Sequence, residues 1–408
     1  MGQNMKITKL LERITVFALL TLVIMPSIDA NINLFSGFNK DSLVLWDLKI
    51  PSMYIEWNSL GTTLVAITYE NLTLISFEGK VLNVLQDINV HSVSWSKTNR
   101  LALTYWDKEK QEYYLAIYEP GKGITNKIPL TGVKGIATIK WGPDEERIIV
   151  YTGKEIIAVD LIDSVLTIEE KIELPLPGWL ELSWSNNGTK FAVTGQWNVF
   201  LFTKNLEMCR KIYFGKLFPP QRLAWSPDDK YIAVGGREGH VCIVNSNTGD
   251  IVSCIKVKYN SGIRDLAWLS RNTLIAGDEE DYIRLLRIED GKIYEINRIR
   301  LNIPHFHCFA LHPSKKYIAI SLYNHIILYN TTEFISMQSF SSVIAKTITQ
   351  AITKTVSITK TKTMTATKTV LKYVGEGETI GFSWEFIASV IIALSFVILG
   401  AILGRLRK

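Results

Sequence analysis

His305, His307 and Cys308 form the one metal-like grouping in this 408-residue sequence. If the segment is a strand, His305 and His307 share a face, because side chains alternate there. Paired imidazoles suit a zinc-type ion, but no Asp, Glu or further His lies nearby to complete a site. The segment therefore reads as a loop entering a strand, with no metal. Asp278-Glu279-Glu280-Asp281 has the carboxylates that calcium favours, yet it reads first as a solvated turn. No G-x-S-x-G elbow, P-loop or dinucleotide fingerprint occurs, so no catalytic residue is assigned and no cofactor is expected. Of the four cysteines, Cys242 and Cys254 lie equidistant from Thr248, the centre of a predicted hairpin. They face each other across its strands as candidates for a disulfide, the alternative being two small buried thiols.

The elements that must position these residues are marked by tryptophan. Trp57, Trp95, Trp141, Trp184, Trp225 and Trp268 follow IE, VS, IK, LS, LA and LA at gaps of 38, 46, 43, 41 and 43 residues. A seventh copy, FALHPSKKYIAI, has Leu311 in the Trp place, another 43 on. A period of roughly 40–45 residues is that of a β-propeller with one four-stranded blade per repeat. In the best-formed copy, RLAWSP alternates as a half-buried strand does, and Pro227-Asp228-Asp229 turns the chain. YIAV is a second strand, broken by Gly235-Gly236. HVCIV is a third, and IVSCIKV a fourth after Asn247-Thr248-Gly249-Asp250. The expected fold is all-β, a seven-bladed propeller of four-stranded antiparallel blades over residues 31–340, joined to a C-terminal transmembrane helix. Each repeated Trp reads as packing, a large ring buried between adjacent sheets. Residues 43–50 sit where a fourth strand would, and are expected to close the ring on 325–330; residues 334–340 compete for that place.

LAWSPDDKYIAVGGREGHVCIVNSNTGDIV resembles the repeat of the WD-repeat (Trp-Asp repeat) propeller family, with Asn245 at the usual Asp position. The resemblance covers about residues 43–330. The Gly-His pair normally upstream of the first strand is missing, so the family's Asp–His–Ser–Trp tetrad maps onto no blade. The propellers of the bacterial Tol system share the W-S-P-D element and are the nearest alternative. In WD-repeat propellers, the loops between strands two and three and those between blades share one rim. Here the resemblance places Trp106, Tyr113, Trp197 and Tyr323 in the first kind of loop, and Trp179, Phe218, Tyr259 and Phe306 in the second. Aromatics gathered on one rim would make a recognition surface for protein or glycan.

Apolar segments bracket the repeats. Lys6, Lys9 and Arg13 precede an uncharged run, 14–28, so residues 1–30 read as a signal peptide or signal anchor. Residues 386–404 carry no charge, and nineteen helical residues span roughly 30 Å, the thickness of the hydrocarbon layer. Trp384 stands at one end and Arg405, Arg407 and Lys408 at the other, so 384–404 reads as a single span with 405–408 a cytoplasmic basic tail. Thr or Ser occupies every second position from 353 to 369, so 341–380 reads as an extended Thr/Lys-rich stalk, O-glycosylated or bare. Exported repeats, stalk, span and basic tail together resemble archaeal cell-surface proteins standing within or beneath a surface layer. The expected location is the cell membrane, with the propeller outside and the C-terminus in the cytoplasm.

The net charge of +6 comes from the flanks. Residues 1–30 carry three basic and two acidic groups and 331–408 nine and four, leaving 33 of each between them. A neutral domain lacks the footprint of a nucleic-acid binder. Sequons at Asn71, Asn187 and Asn330 lie near predicted turns or strand ends, where an N-glycan acceptor would be exposed. The expected function is a membrane-anchored, non-enzymatic interaction module of the envelope, its partner an envelope or surface-layer protein or a surface glycan. The alternatives are a propeller enzyme or ligand sensor with a central-channel site, and a purely structural surface-layer component. A tight cluster of charged and His side chains converging on the channel would favour the enzyme, and an aromatic, largely uncharged rim would favour the binder.

Overall fold

Short alternating segments separated by Gly, Pro, Asn and Asp turns give antiparallel hairpins. Seven sets of them stand side by side. The computed structural model describes residues 44–331, apart from 69, 136–137, 176–180, 258–260 and 302–303. These residues fall within one compact unit, Leu43–Ser341. The signal (1–30), stalk (341–380) and span (384–404) read from sequence lie outside the described residues. Among the described residues no helix is long and apolar enough to cross a membrane.

The described unit is a propeller of seven four-stranded antiparallel sheets. The inner strands are Tyr54–Trp57, Asn89–Trp95, Thr138–Trp141, Leu182–Trp184, Pro220–Trp225, Ile263–Ser270 and Phe306–Leu311. In blade seven, Val44–Leu48 is the outer strand and pairs with His325–Asn330, Trp46 opposite Leu328 and Leu48 opposite Ile326. The ring is thus closed by the early segment; residues 334–340 lie outside the described residues. Trp46 fastens that strand to blade one, its indole donating to the Phe77 carbonyl at 2.8 Å. Every pairing of a third with a fourth strand contains one register shift. Such bulges raise the local twist, as a blade must twist from channel to periphery.

The core lies between blades, built from buried Val, Ile and Leu of facing sheets. Here the repeated tryptophans have a job beyond bulk. The indole of Trp95 donates to the carbonyl of Glu56, that of Trp184 to Lys140, Trp225 to Ser183 and Trp268 to Ala224, at 2.9–3.2 Å. Each acceptor is the residue just before a preceding blade's Trp, so four tryptophans staple one inner strand to the one before it.

Gly235 and Gly236 do not break the second strand of blade five, which runs Tyr231–Gly236. They stay in it because a Cβ at Gly236 would collide with the Phe218 ring, and one at Gly235 with Ile263. Cys242 pairs directly with Cys254 across the third and fourth strands of the same blade, and the two are joined in a disulfide. Cys209 and Cys308 are free. A thiol titration of the denatured, unreduced protein should therefore find two free thiols. Closing a loop this short contributes about 2–3 kcal/mol, so reduction should lower the melting temperature; four thiols without reductant would refute the bridge.

Candidate functional site

The inner strand of each blade is an open edge, with main-chain N–H groups facing the channel. Side chains of the preceding blade satisfy several of them. Ser92 Oγ accepts from Ile139 N at 3.1 Å, Ser94 Oγ from Trp141 N at 3.0 Å, and Glu56 Oε1 from Trp95 N at 3.0 Å. Asp265 Oδ2 accepts from Phe309 N at 2.9 Å in the same way. These acceptors stand one or three places before the marker Trp, on the face opposite the ring, so that alternation turns them into the channel.

Reading those two places round the ring names the channel wall. Three before the marker are Tyr54, Ser92, Thr138, Glu181, Arg222, Asp265 and Cys308. One before it are Glu56, Ser94, Lys140, Ser183, Ala224, Ala267 and Ala310. Most of them line a cavity of about 700 Å³. Lys140 Nζ donates to Tyr54 Oη at 2.8 Å and Glu56 Oε2 at 2.9 Å, while Tyr54 donates to Glu56 at 2.6 Å. Arg222 lies 3.6 Å from Glu181, and its Nε donates to the Arg264 carbonyl. Arg237, Arg264, His91 and His307 border the same cavity nearer the loops that join second to third strands and blade to blade.

Burial sets the protonation of this cluster. Burial opposes the Lys140 charge, but Glu56 and Tyr54 outweigh it and hold the pKa well above the usual lysine value. Burial, with the Glu56 charge, keeps the Tyr54 hydroxyl protonated. Burial also raises Glu181 against the pull of Arg222 and Lys140, and lifts Asp265 to about 6. The Cys308 thiol is pushed by burial to about 12 and is no nucleophile at neutral pH. His91 and His307 are shifted down by burial, His307 also by Arg264.

Asp265 thus titrates above its unfolded value of 3.8. The unfolded chain releases this proton first, so stability falls as pH rises from about 4 to 6 and is level above. Asp265→Asn should gain on the wild type by about 1–2 kcal/mol between pH 4 and pH 7, after discounting for water in the channel. Denaturant titrations at both pH values measure the difference. A gap that does not change with pH would refute the assignment.

The aromatic rim is not a single surface. Phe218 and Phe306 are 1% and 3% exposed, and Tyr113 is buried. Phe218 fills the space over Gly236 and stacks on His240, and Phe306 fills that over Gly277. Phe218 and Phe306 take the slots that glycine leaves and Tyr113 lies in the buried cluster of blades two and three, so these three are packing residues. Trp106 is half-buried with its ring edge-on to Tyr113 at 4.8 Å. Trp197 and Tyr323 are 45% and 63% exposed, but they belong to blades four and seven. Trp179 and Tyr259 lie outside the described residues. The charged groups, by contrast, do converge on the channel, the arrangement expected of an enzyme or sensor rather than of a rim binder, and the candidate site moves inward from the rim.

Three other expectations change. His305 has a left-handed backbone (φ 70) before the strand, and the register shifts at His307, so the two do not share a face. Among the described residues no group of three His, Cys, Asp or Glu is placed to hold a metal ion. Asp278 is fully buried on Arg284 rather than in a solvated turn, and Asp281 accepts from Phe306 N at 2.9 Å. Of the sequons, Asn187 and Thr189 are both exposed. Asn71 is half-buried with its Thr73 buried in a strand; Asn330 is half-buried at a strand end, and Thr332 lies outside the described residues.

Blades, channel and indole staples define a seven-bladed β-propeller. Residues 220–271, most of blade five and the start of blade six, match the family model described as anaphase-promoting complex subunit 4 WD40 domain. A chain in the crystal structure of the mitotic checkpoint complex is similar in fold, with a TM-score of 0.59 and 15% identity, over 71% of this chain and 91% of that one. The structure of U3-55K gives 0.58 and 11% over 70% and 97%, and the crystal structure of RRP9 WD40 repeats 0.59 and 12% over 70% and 96%. At these identities the likeness is one of fold. No curated protein matches the chain.

Proposed function

We propose that this chain is a non-enzymatic binding module, anchored in a cell membrane and displayed outside the cytoplasm, which takes a segment of an envelope or surface-layer protein at the loop end of its channel. The observation that carries this reading is the cavity of about 700 Å³, bordered by Arg237, Arg264, His91 and His307 above a wall of mutually bonded charges. Within that wall Tyr54, Glu56 and Lys140 are tied to one another, and Cys308 is held as a thiol, so the wall serves as scaffold and the open groups above it as contacts. A protein partner is favoured over a glycan because the exposed aromatics are dispersed and form no stacking platform. The uncharged runs at 14–28 and 386–404, with basic residues on the inner flank of each, support the anchoring and orientation.

A photo-crosslinking residue at position 323, beside the channel mouth, is compared on intact cells with one at position 60, in a turn between first and second strands. Tyr323 and Leu60 are both exposed and stand at opposite ends of the blades. The expected result is an adduct with one envelope protein from position 323 only. Self-adducts alone, or equal adducts from position 60, would overturn the reading. External protease should also release the propeller from intact cells, and an N-glycan, if the host adds one, should be lost in Asn187→Gln.

A further inference from the structure

The charges around the channel do not cancel at its mouth. Lys140 is matched by Glu56 at 2.9 Å, and Arg222 faces Glu181. Asp265 spends its two oxygens on the main-chain N–H groups of Leu266 and Phe309. Arg237 is exposed in the three-residue turn Arg237–Gly239 and makes no ion pair or hydrogen bond among the described residues. Its neighbour Glu238 is drawn away to Lys256 at 3.6 Å. Among the described residues Arg264 is paired with Glu279 alone, at 3.5 Å, and its Nε lacks a hydrogen-bond partner. Two guanidinium groups therefore stand at one side of the opening with donors to spare, backed by Arg222.

Below them, blades five, six and seven place Ala224, Ala267 and Ala310 at the position where blades one to four carry Glu56, Ser94, Lys140 and Ser183. Of the three alanines Ala310 lines the cavity, while Ala224 and Ala267 pack into the apolar seams between blades. No charge therefore stands at that level on blades five to seven to answer the guanidinium groups above it. A ligand that fits this space carries carboxylates at the level of the guanidinium groups. Guanidinium groups favour carboxylate through paired, charge-assisted hydrogen bonds.

We infer that the mouth of the channel between blades five and seven binds an acidic peptide segment, its carboxylates held by Arg237 and Arg264 and a neighbouring apolar residue set against Ala310. The inference rests on the channel mouth being the binding surface, and it adds the chemistry of the partner.

The test uses the full-length chain in detergent and a labelled eight-residue peptide of alternating Glu and Leu, with its Gln-for-Glu counterpart and free glutarate as comparisons. The acidic peptide should bind at least about tenfold tighter than the Gln peptide, and weaken as salt rises from about 0.05 to 0.3 M. Arg237→Glu should abolish the preference, while Arg271→Glu, exposed at the other end of blade six, should leave it intact. Arg237 has no partner to lose among the described residues, so its variant should melt with the wild type, and a matched melting curve confirms that lost binding is local. Equal binding of the Gln peptide, or undiminished binding by Arg237→Glu, would overturn the inference. Glutarate binding as tightly as the peptide would also overturn it, in favour of a free dicarboxylate. If position 323 still crosslinks a partner while the acidic peptide fails, the binding module stands and only the acidic class falls.

Discussion

Arg284→Ala should destabilise the propeller by about 3–5 kcal/mol, the range for breaking a buried ion pair from one side. Arg284 sits in the third strand of blade six with 0% exposure. Its Nε donates to Asp278 Oδ2 at 2.7 Å, and one terminal nitrogen reaches both oxygens of Glu295 at 3.0 and 3.1 Å. Asp278 also accepts from the main-chain N–H groups of Glu280 and Tyr282, so it holds the turn as well as the guanidinium. Without Arg284, a fully buried carboxylate loses its cation. The size of the effect comes from that stranded charge, because a buried pair is often no better than a well-packed apolar substitute. Arg284→Met combined with Asp278→Asn and Glu295→Gln should therefore recover more than half of the loss. Urea denaturation of the three proteins decides the matter, and a cost below about 1 kcal/mol for Arg284→Ala would show that the triad is not an energetic unit.

The spaced tryptophans made the blades legible because burying a large ring between sheets is demanded once per repeat. The channel wall was equally present in the sequence, in the dipeptides IE, VS, IK, LS, LA and LA, since the residue before each marker faces away from the core. What that pattern lacks is partnership. Glu56 and Lys140 are 84 residues apart and meet across the channel past blade two, where Ser92 and Ser94 are short enough to leave the path open. That meeting depends on the curvature of a closed ring, which no local window contains. Phe218 and Phe306 misled for the opposite reason. Aromatics in connecting loops resemble a recognition surface until the glycines that receive them are placed, and Gly236 and Gly277 lie 18 and 29 residues away in sequence. The turn Asp278 to Asp281 looked solvated because its cation, Arg284, stands beyond the turn in the next strand, where nothing in the sequence marks it as buried. Cys242 and Cys254 were legible together because a hairpin centre fixes which residues oppose each other.

Lys140→Met should cost about 2–3 kcal/mol, less than the loss of Arg284 because Lys140 and Glu56 remain 24% and 21% exposed to the channel. The lysine ties blade three to blade one through both Tyr54 and Glu56. Glu56 in turn accepts from Trp95 N in blade two, so three consecutive inner strands share one carboxylate. Glu56→Gln keeps an oxygen for Trp95 N and should cost less than Lys140→Met. Because each single variant strands the other partner, the double variant should fall short of the sum of the two by about 1–2 kcal/mol. The sign of the pH dependence follows from the raised lysine pKa. The charged form is favoured by folding, so the contribution is complete below the ordinary value of 10.5 and is lost as pH rises through the higher folded value. The gap between Lys140→Met and wild type should thus be constant from pH 7 to about 10 and close only above that. Additive single and double variants would mean that the blades are held by the indole staples and apolar seams alone, with the ion cluster a passive lining. Strong coupling would make Lys140 the link between fold and site: the group that fixes one wall of the channel rigidly enough for Arg237 and Arg264 at its mouth to select what enters.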